Sequence, residues 1–325
     1  MYIVTGAAGF IGSALVAALN HRRITDILIV DEPLSAEKNG NLRKLIFADY
    51  IEKDDWLERV LAAKTPDKIN AIFHMGACSD TTVQDRSYLQ KNNYDYSRIL
   101  AEFAVERKIR FICASSAATY GDGSVGFSDD HAMLEKLVPL NLYGRSKHLF
   151  DLWAKRTGIL KRIVVLKYFN VFGPNEYHKG HMRSFVIKAF QQINSAGKVR
   201  LFKSYNPEYA DGRQMRDFIY VKDAVDMTLF FLDNPHPAGI FNIGTAKARS
   251  WNDLAKATFA AMGKKENIEY IDMPEVLRDR YQYFTQADIT KLCSAGYSKD
   301  ITSLEDAIKD YIQNYLQKNE YLSGS

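Results

Sequence analysis

Along the first 170 residues, short apolar runs alternate with longer amphipathic ones. Runs at Tyr2–Thr5, Ile27–Asp31, Ala71–His74, 111–115 and 163–169 are rich in Ile, Val or Phe, as strands covered on both faces are. Apolar positions at helical spacing occupy 10–19, 56–63, 88–106 and 141–156 between them. Strand, helix and strand repeated in this way predict a parallel sheet with helices on both faces, the doubly wound α/β architecture.

After Gly173-Pro174 the rhythm becomes irregular. A helix over 185–194 leads to a polar loop, 204–214, rich in Asn, Pro, Asp and Gly. Strands are expected at 218–221 and 240–243 with a helix over 225–232 between them, the first strand and the helix returning to the main sheet. A final helix is expected to use Thr302 as its N-cap, with Glu305 completing a capping box, and to bury Leu304, Ile308, Tyr311, Ile312 and Tyr315. The division that follows is a doubly wound domain over 1–170 plus 217–247, interleaved with a smaller α+β domain over 171–216 plus 248–325.

Composition adds mainly exclusions. With 46% hydrophobic and 25% charged residues in 325, the chain is neither disordered nor fibrous. Lys plus Arg total 43 against 39 for Asp plus Glu. A net charge of +4 argues against nucleic acid but suits a small anionic ligand. No apolar run reaches the ~18 residues of a membrane span. Three scattered cysteines (Cys78, Cys113, Cys293) fit a soluble protein of the reducing cytoplasm better than a disulfide framework. His178 and His181 have no third ligand nearby in sequence, so no metal is expected.

Two motifs carry chemistry. Thr5-Gly6-Ala7-Ala8-Gly9-Phe10-Ile11-Gly12 follows the first strand and opens the first helix. Glycines there allow a tight turn and close approach of backbone N–H groups to a pyrophosphate, whose charge the helix N-terminus stabilises. Asp31, at the end of the second strand, is placed to accept from the adenosine ribose hydroxyls. This is a Rossmann dinucleotide site. The second motif is Tyr143-Gly144-Arg145-Ser146-Lys147, with Ser115-Ser116 ending an earlier strand. Tyr143 and Lys147 share a helical face. A nearby ammonium favours the phenolate, and Ser116 can hold a substrate oxygen beside it. A core tyrosine and a solvated lysine give the same spacing; coupling to the glycine loop and the serine favours the chemical reading.

Further segments extend the pattern: His74-Met75-Gly76-Ala77-Cys78-Ser79, Asn92-Asn93-Tyr94, Tyr168-Phe169-Asn170-Val171-Phe172-Gly173-Pro174, His178-Lys179-Gly180, Arg216-Asp217-Phe218, and Arg280-Tyr281-Gln282 with Phe284-Thr285-Gln286-Ala287-Asp288. From Met1 to about Tyr315 the chain resembles extended short-chain dehydrogenases/reductases that modify nucleotide sugars. The His-Lys-Gly and Tyr-Gln-x-Phe-Thr-Gln-Ala-Asp segments are the selective ones, and resemble the branch that inverts C6 of an ADP-linked heptose for the lipopolysaccharide core. That resemblance implies a redox-neutral epimerase with tightly held NADP, NAD being the second choice. It implies Tyr143 and Lys179 as acid/base groups on opposite sides of the carbinol, supported by Lys147 and Ser116. It assigns the cofactor to Gly6, Gly9, Phe10, Ile11, Gly12, Asp31, Glu32, Lys38, Lys53, Met75, Gly76, Ala77, Cys78, Ser79, Asn92, Lys147 and Val171. Lys38 would reach the 2′-phosphate. The ADP-heptose falls to Ser116, Asn170, Lys179, His181, Lys188, Phe202, Lys203, Ser204, Tyr205, Arg216, Arg280 and Tyr281, with Arg216 on the pyrophosphate.

The chain departs from that branch at Met75 (usually Glu), His181 (usually Ser) and Lys188 (usually His), and its 203–215 segment is long. Family members form homopentamers, so a homo-oligomer is implied. Three other readings remain. A 4,6-dehydratase needs an acidic pair after the serine, where Ala117-Ala118-Thr119 stands. A UDP-hexose 4-epimerase shares the serine, tyrosine and lysine but not His-Lys-Gly. A noncatalytic NADP-binding sensor would be expected to lack Tyr143 or Lys147.

Overall fold

The computed structural model describes residues 1–278 and 281–325, so Arg280 lies outside the described residues. The chain runs through β1 (Tyr2–Thr5), α1 (Phe10–His21), β2 (Ile27–Asp31), α2 (Ala36–Leu42), β3 (Asp49–Glu52), α3 (Lys53–Leu61), β4 (Ala71–His74), α4 (Arg86–Leu89), α5 (Tyr96–Glu106), β5 (Arg110–Ser116), α6 (Leu142–Arg156) and β6 (Val164–Tyr168). It continues with β7 (Asn170–Phe172), α7 (Phe185–Ala196), β8 (Val199–Phe202), β9 (Met215–Tyr220), α8 (Val221–Asp233), β10 (Gly239–Ile243), β11 (Ala248–Ser250), α9 (Trp251–Ala261), β12 (Ile268–Ile271), α10 (Glu275–Arg278), α11 (Thr290–Ser294) and α12 (Leu304–Asp310).

Seven strands form one parallel sheet in the order β10-β6-β5-β4-β1-β2-β3. Successive strand residues feed opposite cores: Val4, Ile29, Phe73 and Leu166 face the layer holding α1 and α8, while Ile3, Val30, Ile72 and Val165 face that of α3, α5 and α6. This is the doubly wound arrangement, and its order reverses between β1 and β4. Crevices that bind ligands open at such a switch point, beyond the carboxyl ends of the strands.

The structure corrects several expectations. The strand expected at 218–221 is Met215–Tyr220, and it does not return to the main sheet. The edge beside β6 is taken by β10, in register from Gly239 opposite Val164 to Ile243 opposite Tyr168. β9 instead pairs parallel with β7 and antiparallel with β11 in a three-stranded sheet. Only the following helix returns, packing α8 against α1. Thr302 is not the last cap: its N–H and hydroxyl both donate to Asp223, and Ser303 caps α12 by accepting from Asp306 N. β3 escaped the sequence reading because an Asp-Tyr-Ile-Glu edge strand offers no apolar run.

The single helix expected over 88–106 is α4 and α5 joined by a π-helical turn, Gln90–Asp95. That turn has a local purpose. It buries Asn93, whose side chain accepts from Cys78 N at 2.8 Å and donates to Cys78 O at 2.9 Å and Ser146 Oγ at 3.0 Å. The loop after β4 is thereby tied to α6.

Candidate active site

A cleft of about 1440 Å³ opens at the switch point. Its floor is the glycine loop. Gly6 sits at φ +66°, and a Cβ there would lie 2.6 Å from the Gly76 backbone. A Cβ on Gly12 would stand 2.0 Å from Gly6 O. Both glycines are therefore demanded by packing, whatever ligand follows. Gly9 differs, meeting only Gly6 O and its carbon. It opens α1 without a side-chain cap, so the helix presents unpaired N–H groups beside a wall made by Phe10, Ile11 and Gly12.

Asp31 is almost fully buried and already engaged. Oδ2 accepts from Ala8 N at 2.8 Å; Oδ1 accepts from Glu32 N at 2.8 Å and from Lys38 Nζ at 2.9 Å. Lys38 also lies 3.7 Å from Glu32. The carboxylate is thus held and neutralised, with little negative charge left to repel an incoming phosphate. His178 approaches the same corner: its Nδ1 lies 3.1 Å from Asn41 Nδ2, and Asn41 donates to Ala8 O at 2.9 Å. Burial first, then Lys38 and Lys179, push the His178 imidazole down to about 4, so it is neutral at pH 7. Lys53 lines the cleft while pairing with Asp54 at 3.0 Å.

Asn141 caps α6 by accepting from Gly144 N at 2.7 Å, fixing the first turn that carries Tyr143. Ser116 Oγ accepts from Ala118 N at 3.1 Å and faces the Tyr143 phenol. Burial raises the phenol above its ordinary range, and the Ser116 hydroxyl partly offsets this. Lys147, one turn on, is buried, which lowers its affinity for a proton; Cys113 and Asp151 oppose that. Beneath them His74 is locked between Thr5 Oγ1 at 2.6 Å and Ser97 Oγ at 2.8 Å. Burial pushes it to about 3, so it stays neutral.

Another part of the cleft is lined by a 3₁₀ segment, Tyr177–Met182, broken at Gly180 (φ 52°, ψ −123°). Lys179 lies on it with its ammonium over the Phe10 ring, 5.4 Å from the centroid. It forms no ion pair among the described residues, and burial lowers its proton affinity. The segment is stapled by buried Glu176, which accepts from Gly173 N at 3.3 Å, Ser184 Oγ at 2.6 Å and Ser184 N. Asn175 donates to Ser13 Oγ at 3.0 Å and accepts from Leu322 N at 2.9 Å, and Tyr177 donates to Glu320 O at 2.8 Å. Sequence reading missed Glu176, Asn175 and Asn41; the first two were signalled only by proximity to His-Lys-Gly, and Asn41, 137 positions from His178, by nothing local.

Every expected cofactor residue lines this cleft, as do Ser116, Tyr143, Asn170, Lys179, His181 and Lys188. His181 is exposed and 3.5 Å from Asp80, while Lys188 donates to the His181 carbonyl at 2.7 Å. Phe202, Lys203, Ser204, Tyr205, Arg216 and Tyr281 are not among the residues lining the cleft. They gather beside it. Lys203 pairs with Asp272 at 3.1 Å, and Tyr205 lies under Arg278 at 3.9 Å. Arg216 is 7% exposed, stacked against Trp251 and Tyr281, and donates to Met215 O at 2.8 Å. A buried guanidinium with no carboxylate partner among the described residues is the pattern expected where an anionic ligand completes the charge. Trp251 itself lines the cleft, one ring away.

An uncapped helix start over a glycine turn, a held carboxylate with a lysine beside it, and a serine–tyrosine–lysine cluster fit a dinucleotide whose redox end lies near Tyr143. The NAD dependent epimerase/dehydratase family matches residues 2–244, and the chain belongs to it. Within that class it is similar to the ADP-L-glycero-D-manno-heptose-6-epimerase of Nitratidesulfovibrio vulgaris, at 55% identity over 97% of this chain and 98% of that one. The protein of the same name from Fusobacterium nucleatum is 50% identical over 98% of this chain and 99% of its own. A solved structure, the Helicobacter pylori ADP-L-glycero-D-manno-heptose-6-epimerase, superposes with a TM-score of 0.80 at 27% identity, over 96% of this chain and 95% of that one. No described helix is long and apolar enough to cross a membrane.

Proposed function

We propose that the chain inverts C6 of the heptose in ADP-D-glycero-D-manno-heptose, giving the L-glycero epimer used in the lipopolysaccharide core. The observation that supports this reading is that Lys179 and Tyr143, from elements 36 residues apart in sequence, line the same cleft. Bound NADP would supply reversible acceptance of the C6 hydrogen. Inversion presents the carbinol oxygen in two orientations, so each needs its own proton-handling group. Tyr143, with Ser116 beside it, serves one orientation, and Lys147 on the same helical face assists its ionisation. Lys179, unpaired and partly desolvated over Phe10, serves the other. Residues 1–170 with α8 and β10 carry the cofactor, and the rest of the chain after 170, including β9, binds the sugar nucleotide in a cytoplasmic homo-oligomer.

NADP is favoured over NAD by the state of Asp31. Its oxygens are already occupied by Ala8, Glu32 and Lys38, leaving a lysine beside the ribose site. Incubation with ADP-D-glycero-heptose, followed by NMR of the C6 proton, tests the reaction; turnover of UDP-hexoses instead would favour a 4-epimerase. Acid extraction of the same preparation is expected to release near-stoichiometric NADP, and recovery of NAD alone would reverse that preference.

Arg216 is assigned to the substrate pyrophosphate. Arg216→Ala is expected to raise KM by roughly tenfold to a hundredfold with a smaller change in kcat, equivalent to about 1.5–3 kcal/mol of charge-assisted hydrogen bonding. An unchanged KM in steady-state assays removes Arg216 from the site.

A further inference from the structure

Behind the Ser116–Tyr143–Lys147 cluster lies a second layer of charge that the reaction as described does not use. Asp151 sits on α6 one turn beyond Lys147 and two beyond Tyr143, so the three share a helical face. Its carboxylate accepts from Ser115 Oγ at 3.0 and 3.1 Å and lies 3.3 Å from Lys167 Nζ. Both members of this ion pair are fully buried. Lys167, on β6, also donates to Thr119 Oγ1 at 2.8 Å and lies over the Tyr120 ring at 4.4 Å. Thr119 in turn donates to Ser116 O at 2.8 Å. The pair therefore grips the end of β5 twice, at the Ser115 side chain and, through Thr119, at the Ser116 carbonyl.

Burying both charges costs several kcal/mol per ion, and an apolar pair of similar volume often holds a fold as well or better. Stability is thus a weak reason for the pair to be here. Its position supplies a stronger one. The groups facing Lys147 are His74 from β4, Cys113 from β5, and Tyr143 and Asp151 on its own helix. His74 is neutral, and burial keeps the Cys113 and Tyr143 protons in place. Asp151 is the remaining anion. The groups facing Asp151 are Lys167 and Lys147, the Cys113 thiol and the Tyr120 and Tyr143 phenols, whose protons burial holds in place, and His148, whose charging burial disfavours.

We propose that Asp151, fixed by Ser115 and Lys167, is a positioning residue that holds Lys147 as an ammonium beside Tyr143 and seats the Ser116 end of β5. The inference rests on the epimerase reading for its catalytic consequence, but not for its effect on cofactor retention. Without Asp151, Lys147 would lose its proton at lower pH, so anything that needs the ammonium should fail earlier on the alkaline side.

The test is a pair of pH profiles, one for kcat and one for retention of nicotinamide cofactor after gel filtration, on wild type, Asp151→Asn and Lys167→Met. Asp151→Asn is expected to lower kcat at least tenfold and to move the alkaline limb of both profiles down by roughly one unit. Lys167→Met, which leaves the carboxylate, is expected not to move that limb downward. Should Asp151→Asn fail to fold, Asp151→Asn/Lys167→Met removes both buried charges together, and its limb should lie below that of Lys167→Met, the single variant that keeps the carboxylate. Reduced activity or thermal stability with both alkaline limbs unmoved would leave Asp151 a structural residue and overturn the proposal. Wild type without heptose epimerase activity would overturn the functional reading instead, while the retention profile would still report on Asp151.

Discussion

Tyr143→Phe and Lys179→Met are each expected to abolish epimerisation, lowering kcat by about 10²–10⁴-fold. The two variants should differ on a heptose analogue already carrying an aldehyde at C6. Each keeps one of the two proton-handling groups, so each should still oxidise or reduce the analogue from a single face. Lys147→Met should behave differently from both. It shares a helical face with Tyr143 and lines the cofactor side of the cleft, so cofactor retention should fall along with rate. Near-normal epimerase activity in Lys179→Met would defeat the two-base assignment and leave a single-tyrosine mechanism of the 4-epimerase kind. Progress curves, together with the configuration at C6 after reduction of the analogue deuterated at its aldehyde carbon, distinguish these outcomes.

Gly12→Ala is expected to have the next largest effect, on folding and cofactor retention together. The new methyl carbon would stand 2.0 Å from Gly6 O and 3.0 Å from Ala7 Cα, both backbone atoms. No side chain can move aside to relieve the contact. The loop must shift, and with it Gly6, whose α-carbon is packed against Gly76. A loss of about 3 kcal/mol in urea denaturation is expected, with little cofactor surviving purification. Gly158→Ala provides the comparison: a Cβ there meets nothing within 4 Å, although its φ of +75° carries some strain. If Gly12→Ala retains wild-type stability and cofactor, the close packing of loop on helix has been overstated.

Most of the main sheet, its edge strand β3 excepted, was legible because those strands are buried on both faces and so read as unbroken apolar runs, as in Ile-Leu-Ile-Val-Asp of β2. The glycine loop and the Tyr143–Lys147 face were legible because their geometry is local, set by turns and helical spacing. What was lost is non-local. β9 carries an apolar pattern good enough for the main sheet, but which edge it joins is decided by β10 occupying the place beside β6. The purpose of Asn93 was invisible because the residues it ties, Cys78 and Ser146, lie 15 and 53 positions away. Asp31 was read as a free acceptor; that the loop's own Ala8 amide and Lys38 already engage it is a fact of three dimensions. The polar stretch containing Lys203 and Tyr205 gave no sign of pairing with Asp272 rather than facing the cleft.

The contacts of Asn175 and Tyr177 with residues 320–322 set an order of assembly during synthesis. Domains form from the N-terminus as the chain emerges, and the glycine loop and the Tyr143 helix are complete well before β10 closes the sheet. The Lys179 segment cannot be fully seated until Glu320 and Leu322 have left the ribosome. On the reading proposed above, a nascent chain would form its dinucleotide cradle early and seat the Lys179 arm late.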